Sequence, residues 1–139
     1  MGIEYFIIAM DESASKDDLL NIFSPYWVEI EHNYYLLNYG NTQFQNLILN
    51  NECHFSINFH ENNSTVESIT IYKPCGDIKL EQAIYRLIQN YPMFLTYPRD
   101  PLIVVTANPK CLELIRKQYP HLLENLKLVS CFEEYHNLE

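Results

Sequence analysis

Apolar and polar residues alternate most clearly from Cys53 to His60, where Cys53, Phe55, Ile57 and Phe59 interleave with His54, Ser56, Asn58 and His60. That period of two predicts a strand with one core face and one wet face. Glu61-Asn62-Asn63-Ser64 predicts a turn into a second strand, Thr65 to Tyr72, paired antiparallel with the first. Pro74 and Gly76 stop that strand, because proline removes a ladder donor and glycine permits turn dihedrals. The spacing of Leu80, Ala83, Ile84, Leu87, Ile88 and Tyr91 then predicts an amphipathic helix, with Asp77 placed to cap it. Met93 to Thr96 and Leu102 to Thr106 read as strands joined through Tyr97-Pro98-Arg99-Asp100-Pro101.

Ile3 to Ala9 is almost continuously apolar, which predicts an internal strand covered on both faces. Ser15, with Asp18 three residues on, forms a capping box before the short apolar face Leu19, Leu20, Ile22 and Phe23, and Ser24-Pro25 closes that helix. Tyr26 to Glu31 and Tyr34 to Tyr39 read as a hairpin turning at His32-Asn33, with Trp27 and Tyr34 packing across it and Glu29 and Glu31 on one face. Gly40-Asn41 reads as the next turn, and Thr42 to Asn50 as a strand, although Phe44, Leu47 and Ile48 also fit a helical turn. Asn108-Pro109 signals a helix to about Gln118, with Leu112, Ile115 and Tyr119 inward, Glu113 and Lys117 in ion-pair spacing, and Arg116 and Lys117 complementing its C-terminal dipole. His121 to Leu126 adds a turn, Lys127 to Phe132 reads as a last strand, and a polar tail follows from Glu133. The expected architecture is α+β: a single domain with a mixed, mainly antiparallel β-sheet and about three helices.

Composition sharpens this picture through charge. The net charge of −9 lies entirely in the first half: up to Tyr72 the only basic residue is Lys16, against ten acids. From Lys73 onward, eight bases balance eight acids. Such a field repels nucleic acid and acidic membranes and attracts a basic protein surface, while also favouring solubility. No apolar run approaches the roughly 20 residues that span a bilayer, and Glu4 stands where a secretory signal would be basic. Cytoplasmic residence is therefore expected. The cysteines Cys53, Cys75, Cys111 and Cys131 include no Cys-x-x-Cys pair, so reduced, structural thiols are expected rather than a zinc or thioredoxin-like motif.

Few residues suggest chemistry. Three glycines cannot form the usual phosphate-binding loops, which bring several backbone amides close to an anion. No Gly-x-Ser-x-Gly elbow is present. His54 and His60 share a predicted strand face but stand roughly 20 Å apart by strand rise, too far for one metal. Cys53 beside His54 is a conceivable nucleophile pair, but the two should point to opposite faces. Metal, cofactor and catalytic residues are thus not expected. The eleven tyrosines suit core bodies with wet hydroxyls or a protein interface. Base stacking would require an interleaved basic groove that the first half lacks.

The second half carries Ser68-Ile69-Thr70-Ile71-Tyr72-Lys73-Pro74, a helix with Leu87-Ile88, then Phe94-Leu95-Thr96-Tyr97-Pro98, and finally Leu128-Val129-Ser130-Cys131-Phe132-Glu133-Glu134. In this layout it resembles the immunity proteins of bacterial contact-dependent growth inhibition and related polymorphic toxin systems. The resemblance implies a small cytosolic, non-enzymatic protein that binds and neutralises a cognate toxin C-terminal domain, often a nuclease. It assigns no individual residue. Charge complementarity with a basic groove points to Asp11, Glu12, Asp17, Asp18, Glu29, Glu31, Glu61 and Glu67 as contacts, with Trp27, Tyr34 and Tyr35 as aromatic anchors. Two other readings stand beside it: a small enzyme using the His54/His60 sheet face, and a structural or adaptor subunit.

Overall fold

A computed structural model describes residues 4–62, 64–99 and 101–138, leaving aside the side chains of Thr42, Phe44 and Leu49. The elements are β1 (Tyr5–Ala9), α1 (Lys16–Phe23), β2 (Trp27–Glu31), β3 (Tyr34–Phe44), β4 (Leu47–Phe59), β5 (Val66–Tyr72), α2 (Ile78–Asn90), β6 (Met93–Tyr97), β7 (Ile103–Thr106), α3 (Pro109–Gln118), a 3-10 helix (Pro120–Asn125), β8 (Leu126–Leu128) and α4 (Phe132–His136). The fold is α+β. One eight-stranded sheet has the order β2-β3-β4-β5-β1-β6-β7-β8, and among the described residues β7 and β8 are the only neighbouring strands that pair in parallel.

β1 lies between β5 and β6, antiparallel to both. β5 and β6 therefore run in the same direction, and α2 is the crossover between them. α3 makes a second crossover, from β7 to its parallel neighbour β8. Both crossovers move the same way across the sheet, but β7 and β8 point opposite to β5 and β6. Right-handed connections then require α2 and α3 on opposite faces.

The buried residues show that arrangement. Ile7, Leu95 and Val105 join the large core cluster with α1 and α2, where Leu80, Ala83, Ile84, Leu87 and Ile88 are buried. Phe94 and Val104 join a second cluster with Cys111 and Ile115 of α3, and Ile8 packs against it. β1 is thus internal, fully covered at Ile7 and half-covered at Phe6 and Ile8; Ile3 lies outside the described residues.

Local signals explain the helix ends. Ser15 accepts from the Asp18 amide at 3.1 Å and Asp18 accepts from the Ser15 amide at 3.1 Å, a reciprocal capping box. Asp77 caps α2 by accepting from the Lys79 amide at 2.8 Å. Asn108 caps α3 through the Lys110 and Cys111 amides.

Three expectations need correction. The chain does not turn at Gly40-Asn41. β3 continues to Phe44 through a register shift between Asn38 and Asn41, and the turn falls at Gln45-Asn46. Gly40 sits at φ +90°, a conformation open to glycine that accommodates such a bulge within a strand. In α3 the buried pair is Cys111 and Ile115, whereas Tyr119 is 43% exposed, and Glu113 pairs with Arg116 at 2.8 Å rather than with Lys117. The last strand ends at Leu128, and the expected polar tail contains α4. Its side chains explain why: Glu134 accepts from the Ser130 amide at 3.0 Å, Phe132 and Tyr135 pack on Tyr85, and the Tyr135 hydroxyl donates to Glu81 at 2.5 Å.

The stripe of α2 should dominate stability. Leu87→Ala is expected to cost about 2–5 kcal/mol and Ser15→Ala about 1 kcal/mol in urea unfolding. Tyr119→Ala should change it by less than about 0.5 kcal/mol.

Candidate functional site

Because neighbouring strands alternate in direction, β1, β2 and β4 finish at the end of the sheet where β3, β5 and β6 begin. Three connections therefore meet there: β1 to α1, the β2–β3 turn at His32-Asn33, and the β4–β5 turn. Backbone and side-chain bonds join them. The Val66 amide donates to Ala14 at 2.8 Å, the Ile57 amide donates to Asn33 at 3.0 Å, and Asn62 donates to the Glu12 carboxylate at 3.0 Å. Lys16 reaches Asn33 at 3.3 Å. A cavity of about 500 Å³ opens between them, lined by residues that include Ser15, Asp17, His32, Phe59 and Ser64.

This end collects the acids that were scattered in sequence. Asp11 and Glu12 leave β1, Asp17 and Asp18 occupy the first turn of α1, Glu31 ends β2, Glu61 is in the β4–β5 turn, and Glu67 opens β5. Lys110 is 3.2 Å from Asp11, Lys16 is 3.8 Å from Glu29, and His60 is 3.7 Å from Glu67. Among the described residues, no ion pair takes up Glu12, Asp17, Asp18, Glu31 or Glu61. Lys73, Lys79, Arg99, Arg116 and Lys117 lie toward the opposite end, past β5, in the first turn of α2, between β6 and β7, and in the last turn of α3. Asp77 and Glu81 share that opposite end with the bases, so the excess negative charge is what distinguishes the first end of the strands.

Asp11 is the most firmly held of these acids. Burial alone would raise its pKa, but hydrogen bonds from Ser13 and Lys110 outweigh that and hold the carboxyl below its usual range.

The aromatic and edge residues are arranged differently from expectation. Tyr35 is fully buried, stacked on Phe55 at 4.9 Å, and so belongs to the core rather than to a presented anchor. Trp27 is half-buried, edge-on to Tyr35 at 5.4 Å, with its indole N–H donating to Ser24 at 3.2 Å. It does not pack across on Tyr34, which lies on the other face beside His54 and shares a 2.7 Å hydrogen bond with its Nδ1. Glu29 and Glu31 also separate. A bulge in β2 pairs Glu29 with Tyr35 but Glu31 with Tyr34, whose side chains lie on opposite faces. Exposed Val28 and Ile30, at 59% and 50%, lie on the same edge strand and were not singled out by sequence reasoning. Their apolar–polar alternation with the flanking glutamates was the available signal.

The polar face of β4 is occupied by cross-strand pairs. Ser56 meets the Tyr72 hydroxyl at 3.2 Å and Asn58 donates to Ser68 at 3.1 Å. A register shift after Asn58 turns His60 toward Glu67, so His54 and His60 do not form one site. Among the described residues, no group of three or more His, Cys, Asp or Glu side chains is placed to hold a metal ion, and no helix is long and apolar enough to cross a membrane.

No family model matches the chain, and neither a curated protein nor a solved structure matches it.

Asp11→Asn tests the electrostatics of this end. A carboxyl with a lowered folded pKa adds stability above its unfolded pKa and loses it as pH falls through the folded value. The variant should be about 0.5–1 kcal/mol less stable near neutral pH. The deficit should disappear as pH falls below the ordinary aspartate value of 3.8, as read by urea unfolding across pH.

Proposed function

We propose that this chain is an immunity protein, a non-catalytic inhibitor that binds a cognate bacterial toxin domain, most simply a nuclease, in the cytoplasm of the cell that makes it. The acidic end of the sheet covers the toxin's basic active-site surface and excludes its substrate. The observation that carries this reading is the gathering of Glu12, Asp17, Asp18, Glu31 and Glu61 on three adjoining connections, without ion-pair partners among the described residues. A nuclease groove holds positive charge to bind phosphates, and an acidic surface of comparable extent satisfies the same groups.

Charge supplies association rate and specificity, whereas tight binding also needs desolvated apolar contact. Val28 and Ile30 flank the acidic end on β2 and supply that contact, in place of the buried Tyr35. Trp27 stiffens the strand beneath them through its contact with Tyr35.

The test is binding of the C-terminal domain of a toxin encoded beside this gene. Asp17→Lys combined with Glu61→Lys alters exposed side chains outside the capping box. It is expected to weaken binding by about tenfold or more, mainly through slower association, and to flatten the salt dependence. Reversing Lys73 and Arg99 at the other end should leave the affinity unchanged. Equal effects from both pairs, or none from either, would rule out the acidic end as the interface.

A further inference from the structure

The corner between β5 and α2 brings together two thiols that the proposed binding role does not use. Cys53 is on the core face of β4, opposite Leu37, and is 3% exposed. Cys75 lies between Pro74 and Gly76 in the corner itself, half-buried against the same core cluster. The two segments are tied on both sides of the pair. His54 is in register with Tyr72, and the Asn51 side chain donates to the Asp77 carboxylate at 3.0 Å. Between these ties Cys53 belongs to the large core cluster and Cys75 packs against that same cluster. A disulfide requires Cα atoms within about 7 Å, and Cys53 and Cys75 both fall between the two ties that hold their segments together.

The two thiols differ in exposure and in acidity. The neighbouring Cys53 thiol holds the Cys75 pKa below its usual value, against the opposing effect of burial and with help from a backbone amide at Asp77. The Cys75 thiol, together with burial, pushes the Cys53 thiol up. Cys75 is therefore the accessible nucleophile and Cys53 the protected second thiol. The remaining cysteines are placed otherwise: Cys111 is fully buried on the inner face of α3, where burial raises it to about 11, and Cys131 is exposed beside Glu134.

We propose that Cys53 and Cys75 form a redox modification site, a dithiol that hydroperoxides convert to an intramolecular disulfide. The Cys75 thiolate attacks one peroxide oxygen. The S–O bond forms as the O–O bond breaks, and the departing alkoxide or hydroxide takes up a proton to become alcohol or water. Sulfur is oxidised by two electrons and the peroxide is reduced by two. The Cys53 sulfur then displaces the hydroxyl group of the Cys75 sulfenic acid. The S–S bond forms, the S–O bond breaks, and the Cys53 proton leaves with hydroxide as water. Two thiols and one hydroperoxide thus give a disulfide, an alcohol or water, and a second water. The bridge joins β4 to the residues that cap α2, the helix covering the centre of the sheet. It is independent of the toxin-binding reading.

The test treats the reduced, full-length chain with hydrogen peroxide at neutral pH, quenches with N-ethylmaleimide, and maps peptides without reduction. The expected result is a monomer lighter by two hydrogens, with a peptide linking Cys53 to Cys75 and with Cys111 and Cys131 still available to alkylation after denaturation. The melting temperature of the oxidised form should rise by roughly 5–10 °C. In Cys53→Ser, Cys75 should stop at sulfenic acid and react with dimedone; in Cys75→Ser, no bridge should form. Oxidation of Cys75 in the unaltered chain to sulfinic acid without a bridge, a bridge through Cys131, or a lower melting temperature would each overturn the proposal. The unaltered chain decides the question even if neither variant folds.

Discussion

Everything in this fold depends on β1 pairing on both of its edges. The strand is five residues long, and its partners, Val66–Tyr72 and Met93–Tyr97, come much later in the chain. Until both partners arrive, its backbone donors and acceptors have no ladder to join, and buried unpaired peptide groups are costly. Once both are in place, β5 and β6 are parallel strands separated by one position. Their crossover helix, α2, must then lie over β1, and Ile7 is sealed beneath it at 0% exposure. Such long-range pairing is entropically expensive to reach. The apolar stripe of α2 offsets part of that expense as the crossover closes.

The same topology separates the two faces. Reversing strand direction at β7 sends α3 to the side opposite α2, so the β6–β7–β8 half is covered twice. The β2–β5 half keeps a polar, aromatic face in which Tyr34, His54, Ser56 and Tyr72 satisfy one another across the strands. This mutual pairing makes the histidine-bearing face a finished surface. The chemical interest of the molecule therefore lies at its ends: acids gathered at one, and a thiol pair held at the corner where β5 meets α2 at the other.

Legibility of the chain followed the range of each interaction. The cap at Ser15, the cap at Asp77 and the stripe from Leu80 to Ile88 depend on residues three or four apart, and each appears in the structure as the spacing implied. The bulge at Gly40 was misread as a turn because positive φ is compatible with either, and only the register against β4 distinguishes them. α4 was missed because its stability comes from Tyr85 and Glu81, nearly fifty residues or more earlier in the chain, rather than from its own five residues. Tyr34 and Tyr35 looked equivalent in sequence. The pleat sends one to the polar face and the other to the core.

Sequence alone determined the three longer helices with their caps, the α+β class and the confinement of excess negative charge to the residues before Lys73, because each is local or additive. It also supplied the acids and thiols themselves. Tertiary structure decided where they meet. Asp11, Asp17, Glu31 and Glu61 share one end because antiparallel neighbours return their connections to the same side. Cys53 and Cys75 are brought to one corner because His54 pairs with Tyr72 and Asn51 reaches Asp77. Both placements depend on strand order and register, which arise from contacts between distant segments that no local pattern encodes.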